Sequence, residues 1–337
     1  MESTRLAVRR YRPGDEERIL AAVDRTNGDR GPTAPARDLR HWHWQVRDNP
    51  AGHQVFLAVD ARGTVAARCA ALPRLADSPW GLMRFVHLLD SWTNPAYRAQ
   101  LHGDGVLAEL ERAFAADYGA HGSELGYAFQ AAGAGAGPAD LLRGQVLDPL
   151  EFLLRPSAAG PLSPPTGVEV DRLLVLPEQV DSLWRRCRPT VPCSVRRDHR
   201  YLHWRYERIP SRSDYEFHAA YRQGRMTGLL VLRPFHDLVP GACAIADWIC
   251  ADEDEDSADA LLACAADRAR ACQRHYLLAA CAPTSPEWSR ALAAGFAATP
   301  SARWRARDIT LRITGPHLTP AFLRAHWRWT LGDSDLV

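Results

Sequence analysis

The chain contains one stretch of sequence twice. Residues 38–50 read DLRHWHWQVRDNP and residues 198–210 read DHRYLHWRYERIP, so that Asp, Arg, His, Trp and Pro recur 160 positions apart. Each copy is followed at nearly the same offset by two apolar runs joined at a glycine, Gly63 in the first copy and Gly224 in the second. Such a period is the size of a whole domain and is too long for a solenoid. The sequence therefore predicts a tandem duplication.

Composition defines the class of protein. The chain has 337 residues, of which 46% are hydrophobic and 24% charged, and this is enough to bury two ordinary cores. No stretch approaches the roughly 18 to 20 uninterrupted apolar residues that a membrane helix needs. The start MESTR lacks the apolar core of a secretory signal, so we expect a soluble, cytoplasmic protein without membrane contact.

The cysteines and basic residues exclude several kinds of chemistry. The eight cysteines include no C-x-x-C and no paired His spacing, which argues against a metal site or a disulfide framework. All 41 residues counted as Lys or Arg are arginine, which excludes Schiff-base and pyridoxal phosphate enzymes and the P-loop lysine. A net charge of +1 provides no overall field that would attract nucleic acid.

The two halves share one predicted order of elements, β-α-α-β-β-β-α-β-α-β. We predict domains at residues 1–156 and 167–337, joined by a linker rich in Pro, Ser and Gly at 157–166. The last strand of the first half is predicted at 150–155 and that of the second half at 302–313.

A glycine motif follows the fourth predicted strand of the first half. Residues 90–95 read DSWTNP, and residues 100–105 read QLHGDG and open an amphipathic helix. Glycines allow the backbone to approach a pyrophosphate, whose charge is then met by free N–H groups and the positive end of the helix. This pattern resembles the Q/R-x-x-G-x-G/A signature of the GNAT acyltransferase superfamily.

The resemblance implies an α/β fold of two GNAT-like domains in tandem, each a mixed, mostly antiparallel sheet flanked by helices. It also implies acetyl-CoA or another acyl-CoA as cosubstrate and no metal. By the resemblance, the cofactor-binding residues are Ser91, Trp92, Thr93, Arg98, Gln100, Gly103, Asp104, Gly105 and Val106. The loop departs from the family pattern, because four residues separate Arg98 from Gly103 and because Asp104 disfavours a pyrophosphate unless it points to solvent. Either Arg98 or Gln100 could face the phosphate, and the alternative is a decayed loop.

The second half lacks the motif. Residues 251–259 read ADEDEDSAD, an acidic run that repels a pyrophosphate. The segment from Ser285 to Phe296 resembles the closing helix and turn of the family. We therefore expect this half to keep the fold, or to bind the acceptor, without a cofactor.

In the family an acceptor amine attacks the thioester directly, which requires a base for the ammonium proton and an acid for the leaving thiolate. Asp90 is the candidate base, and pairing with an arginine is the alternative because Asp247 is its counterpart in the second half. Tyr127 is the candidate acid, with core packing as the alternative. His87 is expected to be buried, facing away from Asp90.

We expect the duplicated His-Trp pairs to have a packing role and not to bind substrate. We also expect the tail around Trp327 and Trp329 to dock across the two domains. The function predicted from these features is acyl-CoA-dependent N-acyl transfer to a small-molecule amine, with the second half shaping the acceptor site, in a monomer or homodimer. The alternatives are a non-catalytic acyl-CoA sensor or scaffold, and an aminoacyl-tRNA-dependent transferase, which the near-neutral charge disfavours.

Overall fold

The computed structural model describes residues 6–27, 38–89, 91–97, 101, 105–132, 144–236 and 238–337. Its strands are β1 Ala7–Arg10, β2 Gln54–Val59, β3 Val65–Ser78, β4 Gly81–Leu88, β5 Trp92–Thr93, β6 Ser123–Ala131, β7 Gln145–Pro149, β8 Glu151–Pro156, β9 Glu169–Leu173, β10 Ser194–Val195, β11 Glu216–Arg222, β12 Arg225–His236, β13 Ala242–Cys250, β14 Tyr276–Ala279, β15 Ala297–Pro300 and β16 Arg307–Ile313. Its α-helices are α1 Glu16–Asn27, α2 Leu39–Trp42, α3 Val106–Ala120, α4 Gln179–Cys187, α5 His199–Leu202, α6 Glu255–Ala271, α7 Pro286–Ala293 and α8 Pro320–His326. None of the helices in these ranges is long and apolar enough to cross a membrane.

The strands form two mixed sheets. The first has the order β1-β2-β3-β4-β6-β16-β7, with β5 and β10 also paired to β3, and the second has the order β15-β8-β14-β13-β12-β11-β9. Each sheet contains one parallel pair, β4 with β6 and β13 with β14, while the other pairs are antiparallel. This confirms the predicted fold class of two mixed, mostly antiparallel sheets with flanking helices.

The sheets exchange strands across the seam of the repeat. β8, predicted as the last strand of the first half, pairs with β14 and β15 in the second sheet. β16, predicted as the last strand of the second half, inserts between β6 and β7 in the first sheet. The apolar alternation that predicts a strand does not specify which sheet edge receives it, so the exchange follows from tertiary pairing. The second sheet thus takes β8 from the first half, and the first sheet takes β10 and β16 from the second half. The domain boundaries remain a prediction.

The repeated segments meet at the centre of the molecule. Each forms a short helix capped by an aspartate, Asp38 or Asp198, and continues as one turn of π-helix. The rings of Trp44 and Trp204 stack with centroids 5.4 Å apart, and each indole N–H donates to the other tryptophan's carbonyl, at 2.7 and 2.8 Å. This reciprocal contact confirms the predicted packing role for the tryptophan of each His-Trp pair.

Candidate functional site

The parallel pair of the first sheet comes apart at one end. Pairing runs from Arg84 with Ser123 to His87 with Tyr127. Beyond that point the chain after β4 follows β3, because β5 pairs with Ala67 and Arg68. β6 continues to Ala131. Beyond Tyr127, however, no described strand pairs with the edge of β6 that faces β4. Backbone groups along such a gap can bind an extended ligand.

The helix α3 begins beside this gap. Gly105 precedes it with a φ of +68°, and no side chain caps its first turn. The helix is anchored by its buried apolar face, which includes Leu110 and Phe114, against β1 to β3. The first N–H groups of α3 are therefore available to an anion, and the positive end of the helix favours one.

Five of the predicted cofactor residues are described, three in the chain that follows β4 and two at the start of α3. Ser91, Trp92 and Thr93 are half-buried, Val106 is buried and Gly105 is exposed. The remaining predicted site residues Asp90, Arg98, Gln100, Gly103 and Asp104 lie outside the described residues.

The matching helix of the second half, α6, begins with acidic residues, whereas α3 begins with Gly105 and Val106. Asp254 precedes it, and Glu255 and Asp256 occupy its first turn. Arg222 lies 3.4 Å from Asp256, and Arg290 lies 2.8 Å from Asp259. Carboxylates stabilise a helix N-terminus and compete with a bound anion, so this end of α6 is already satisfied by its own acids.

The parallel pair of the second sheet also separates, but the C-terminal tail fills the space between its strands. β13 and β14 pair only as far as Ala244 with Leu278. Beyond β14, the amide of Ala282 donates to the carbonyl of Trp329 at 3.2 Å, and Leu331 donates to Ala280 at 3.1 Å. On the other side, the Thr330 hydroxyl donates to Asp247 of β13 at 2.6 Å.

The tail also contacts the first sheet. The ring of Trp327 packs 5.2 Å from Tyr127, and the ring of Trp329 lies 5.6 Å from Phe129. Both tryptophans are buried. The expectation that the tail docks across the two halves is therefore confirmed.

Asp247, the counterpart of Asp90, is a structural residue. It is fully buried and accepts hydrogen bonds from Arg197 at 3.2 Å, the Tyr206 hydroxyl at 2.5 Å and Thr330. Arg197 also donates to Asp333 at 2.6 Å. Burial and the charge of Asp247 raise the pKa of Tyr206 well above its usual value. Asp247 thus ties β13 to the tail and to the second repeat segment.

His87 and Tyr127 lie side by side beneath the gap. Their rings are parallel, with centroids 5.1 Å apart, and both residues are buried, as expected for His87. Burial, with the charges of Arg74 and Arg205, lowers the pKa of His87 well below its usual value, and burial raises that of Tyr127. Both side chains are therefore neutral. Neither His87 Nε2 nor the Tyr127 hydroxyl has a hydrogen-bond partner among the described residues. The acid role of Tyr127 remains a prediction.

A cleft between the two halves opens beside His87. It has a volume of about 80 Å³ and is lined by residues of the first half, including Arg74, His87 and Leu89, and of the second, including Arg205 and Asp335. Sequence reasoning missed both arginines, because neither belongs to a motif. The repeat could have drawn attention to Arg205 alone, because the first copy has Gln45 at the corresponding position.

No protein-family sequence model matches the chain, and no curated protein matches it significantly in sequence. Solved structures do match. A GCN5-related N-acetyltransferase from Anabaena variabilis is 8% identical with a TM-score of 0.65, over 92% of this chain and 73% of that one. The tandem GNAT protein from the clavulanic acid biosynthesis pathway is 15% identical with a TM-score of 0.57, over 93% of this chain and 100% of that one.

A third match is N-myristoyltransferase from Saccharomyces cerevisiae, solved with bound myristoyl-CoA. It is 10% identical with a TM-score of 0.56, over 94% of this chain and 81% of that one. At these identities the likeness concerns architecture, and it extends over nearly the whole chain in each case. The chain therefore has the fold of the tandem GNAT proteins, with two GNAT-like domains in one polypeptide.

Proposed function

We propose that the protein is an acyl-CoA-dependent N-acyltransferase that uses acetyl-CoA or another acyl-CoA. The donor binds to the first half, with its pyrophosphate at the N-terminus of α3 and its acyl arm in the gap between β4 and β6. The observation that carries this proposal is the asymmetry of the two halves. The gap in the first sheet has no described strand in it, whereas Trp329 to Leu331 fill its counterpart.

The acceptor is a small-molecule amine that enters through the cleft between the halves. The cleft reaches the end of β4 at Leu89, next to the proposed position of the thioester. The second half thus supplies one wall of the acceptor site and no second active centre.

The reaction joins the amine nitrogen to the acyl carbon and breaks the carbon–sulfur bond of the thioester. The ammonium must first lose a proton, for which we propose Asp90 as base, directly or through a water. The departing CoA thiolate must gain a proton, for which we propose Tyr127 as donor. Burial keeps that phenol protonated before the reaction, and the same raised pKa makes it a weaker acid than an exposed tyrosine.

Calorimetry with acetyl-CoA tests the donor site. We expect one equivalent per chain, and we expect Gly105→Glu to abolish binding because it adds a charge and a side chain where the phosphate lies. Gly167→Glu is the matched control. Both glycines have a positive φ, +68° and +78°, and a Cβ at either would meet nothing within 4 Å, so that both changes add the same strain and charge.

Two bound equivalents, or unchanged affinity in Gly105→Glu, would show that the donor site is misplaced. Binding without turnover of any amine in a broad panel would favour the alternative of an acyl-CoA sensor. Full activity of a fragment that ends at Pro156 would contradict the role of the second half.

A further inference from the structure

Arg74 is a buried cation that forms no ion pair with a described residue. It lies on β3 with 3% of its surface exposed, and it lines the cleft between the two halves. One of its terminal nitrogens donates to the Tyr201 hydroxyl and to the carbonyl of Gly332 at 3.5 Å, and the other lies 3.4 Å from Nδ1 of His87. Among the described residues, no carboxylate forms an ion pair with it.

Its neighbour in the cleft, Arg205, is in a different situation. Arg205 donates to the main-chain oxygens of Gly332, Ser334 and Val337, at 3.3, 3.2 and 2.6 Å, so its guanidinium is held by the tail. Arg197, equally buried, is balanced by Asp247 and Asp333. Asp333 acts on Arg74 at longer range but is already paired with Arg197, so Arg74 is the buried cation of this region that has no carboxylate of its own.

The geometry of Arg74 indicates which kind of anion. Its Nε has no hydrogen-bond partner among the described residues, and its Nη2 has only the long contact to His87. Nε and Nη2 form the edge of a guanidinium that binds a carboxylate through two parallel N–H···O hydrogen bonds. In this chain Arg268 binds Glu216 through that same edge, with both bonds at 2.6 Å.

We propose that the acceptor amine carries an acidic group, a carboxylate or a phosphate, that Arg74 binds through its Nε and Nη2 edge. This inference rests on the proposed function and names the substrate class of that site. Asp335 lines the same cleft, with one carboxylate oxygen 3.9 Å from His87 Nε2.

Pairs of amines that differ only in the acidic group test the proposal on the unmodified chain without acyl-CoA. The pairs are leucine with leucinamide, and glucosamine 6-phosphate with glucosamine, measured by calorimetry at low salt. We expect the acidic member of at least one pair to bind at least about tenfold more tightly, and that pair identifies the group as carboxylate or phosphate. Equal binding within both pairs would overturn the proposal.

Variants then test the residue. Arg74→Met should remove the preference for the acid, and Arg74→Lys should keep only part of it, since lysine retains the charge without the paired donors. Arg84→Met is the matched control, because Arg84 also has an Nε without a partner but does not line the cleft. If folded Arg74→Met still prefers the acidic amine, the assignment is refuted. If Arg74→Met does not fold, Arg74→Lys decides instead, and a preference at full strength in that variant would refute the assignment.

The two proposals fail separately. If acetyl-CoA does not bind, the transferase is refuted, while the amine pairs still report on Arg74. If the chain acylates neutral amines as fast as acidic ones, the transferase stands and the acidic acceptor does not.

Discussion

The buried carboxylate of Asp247 should act on stability and not on chemistry. Asp247→Asn keeps the shape of the side chain but removes the charge that faces Arg197, and it weakens the hydrogen bonds from Tyr206 and Thr330. Removing one partner of a buried ion pair costs about 3 to 5 kcal/mol. Because Asp333 still contacts Arg197 at 2.6 Å, we expect the lower end of that range, about 3 kcal/mol.

That loss should lower Tm by roughly 6 to 12 °C, since 1 kcal/mol shifts the Tm of a domain of 150 to 250 residues by about 2 to 4 °C. Calorimetric melting measures the shift, while acetyl-CoA affinity and turnover at 25 °C should stay near those of the unmodified chain. Asp256→Asn is the control, because its half-exposed pair with Arg222 should contribute under about 1 kcal/mol. A stability cost below about 1 kcal/mol, or lost turnover with an unchanged Tm, would refute the structural role.

Three other variants test the catalytic base, the repeat interface and the acid sensitivity. Asp90→Asn should lower turnover by about 10² to 10⁴ fold with acetyl-CoA affinity unchanged, and a joint collapse of affinity and Tm would make the residue structural. Trp204→Phe leaves the buried carbonyl of Trp44 without its donor and should cost about 1 to 3 kcal/mol in urea unfolding, whereas Trp80→Phe, at an exposed position, should cost little. The hydrogen bond from Arg9 lowers the pKa of Asp15, so its contribution is present above the unfolded pKa of about 3.9 and is lost as pH falls through the folded value. Asp15→Asn should therefore cost less stability as pH falls below about 3.9 than it costs at pH 7, and an equal loss throughout would contradict the shift.

Local signals predicted the regular elements well. The helix predicted from Gly105 to Tyr118 is α3, Val106–Ala120, because a glycine that can adopt positive φ precedes a clear apolar stripe. The strand predicted at 302–313 begins only at Arg307, after a single 3-10 turn at Ser301–Arg303. β7 and β15 were not predicted. Both lie at sheet edges, where mostly exposed side chains produce no alternation.

The candidate site was only partly predictable for a related reason. The glycine motif indicates where α3 begins, because close approach of the backbone to a ligand requires glycine at that position. Arg74 has no such signature, since it is one of 41 basic residues in the printed sequence. It becomes unusual only once the fold shows that it is buried, that Arg197 nearby pairs with two carboxylates and that Arg74 forms an ion pair with none of the described residues.

The tail explains why a duplicated domain can lose its donor site and remain folded. Parallel strands that separate leave unpaired backbone groups and an apolar gap, and both are costly unless something fills them. In the second half Trp329 to Leu331 supply hydrogen bonds to Ala280 and Ala282, and Thr330 reaches Asp247. The same tail carries Asp335 onward to the cleft beside His87. The segment that completes the second sheet therefore also lines the cleft, and under the proposed function it accounts both for the single donor site and for one wall of the acceptor site.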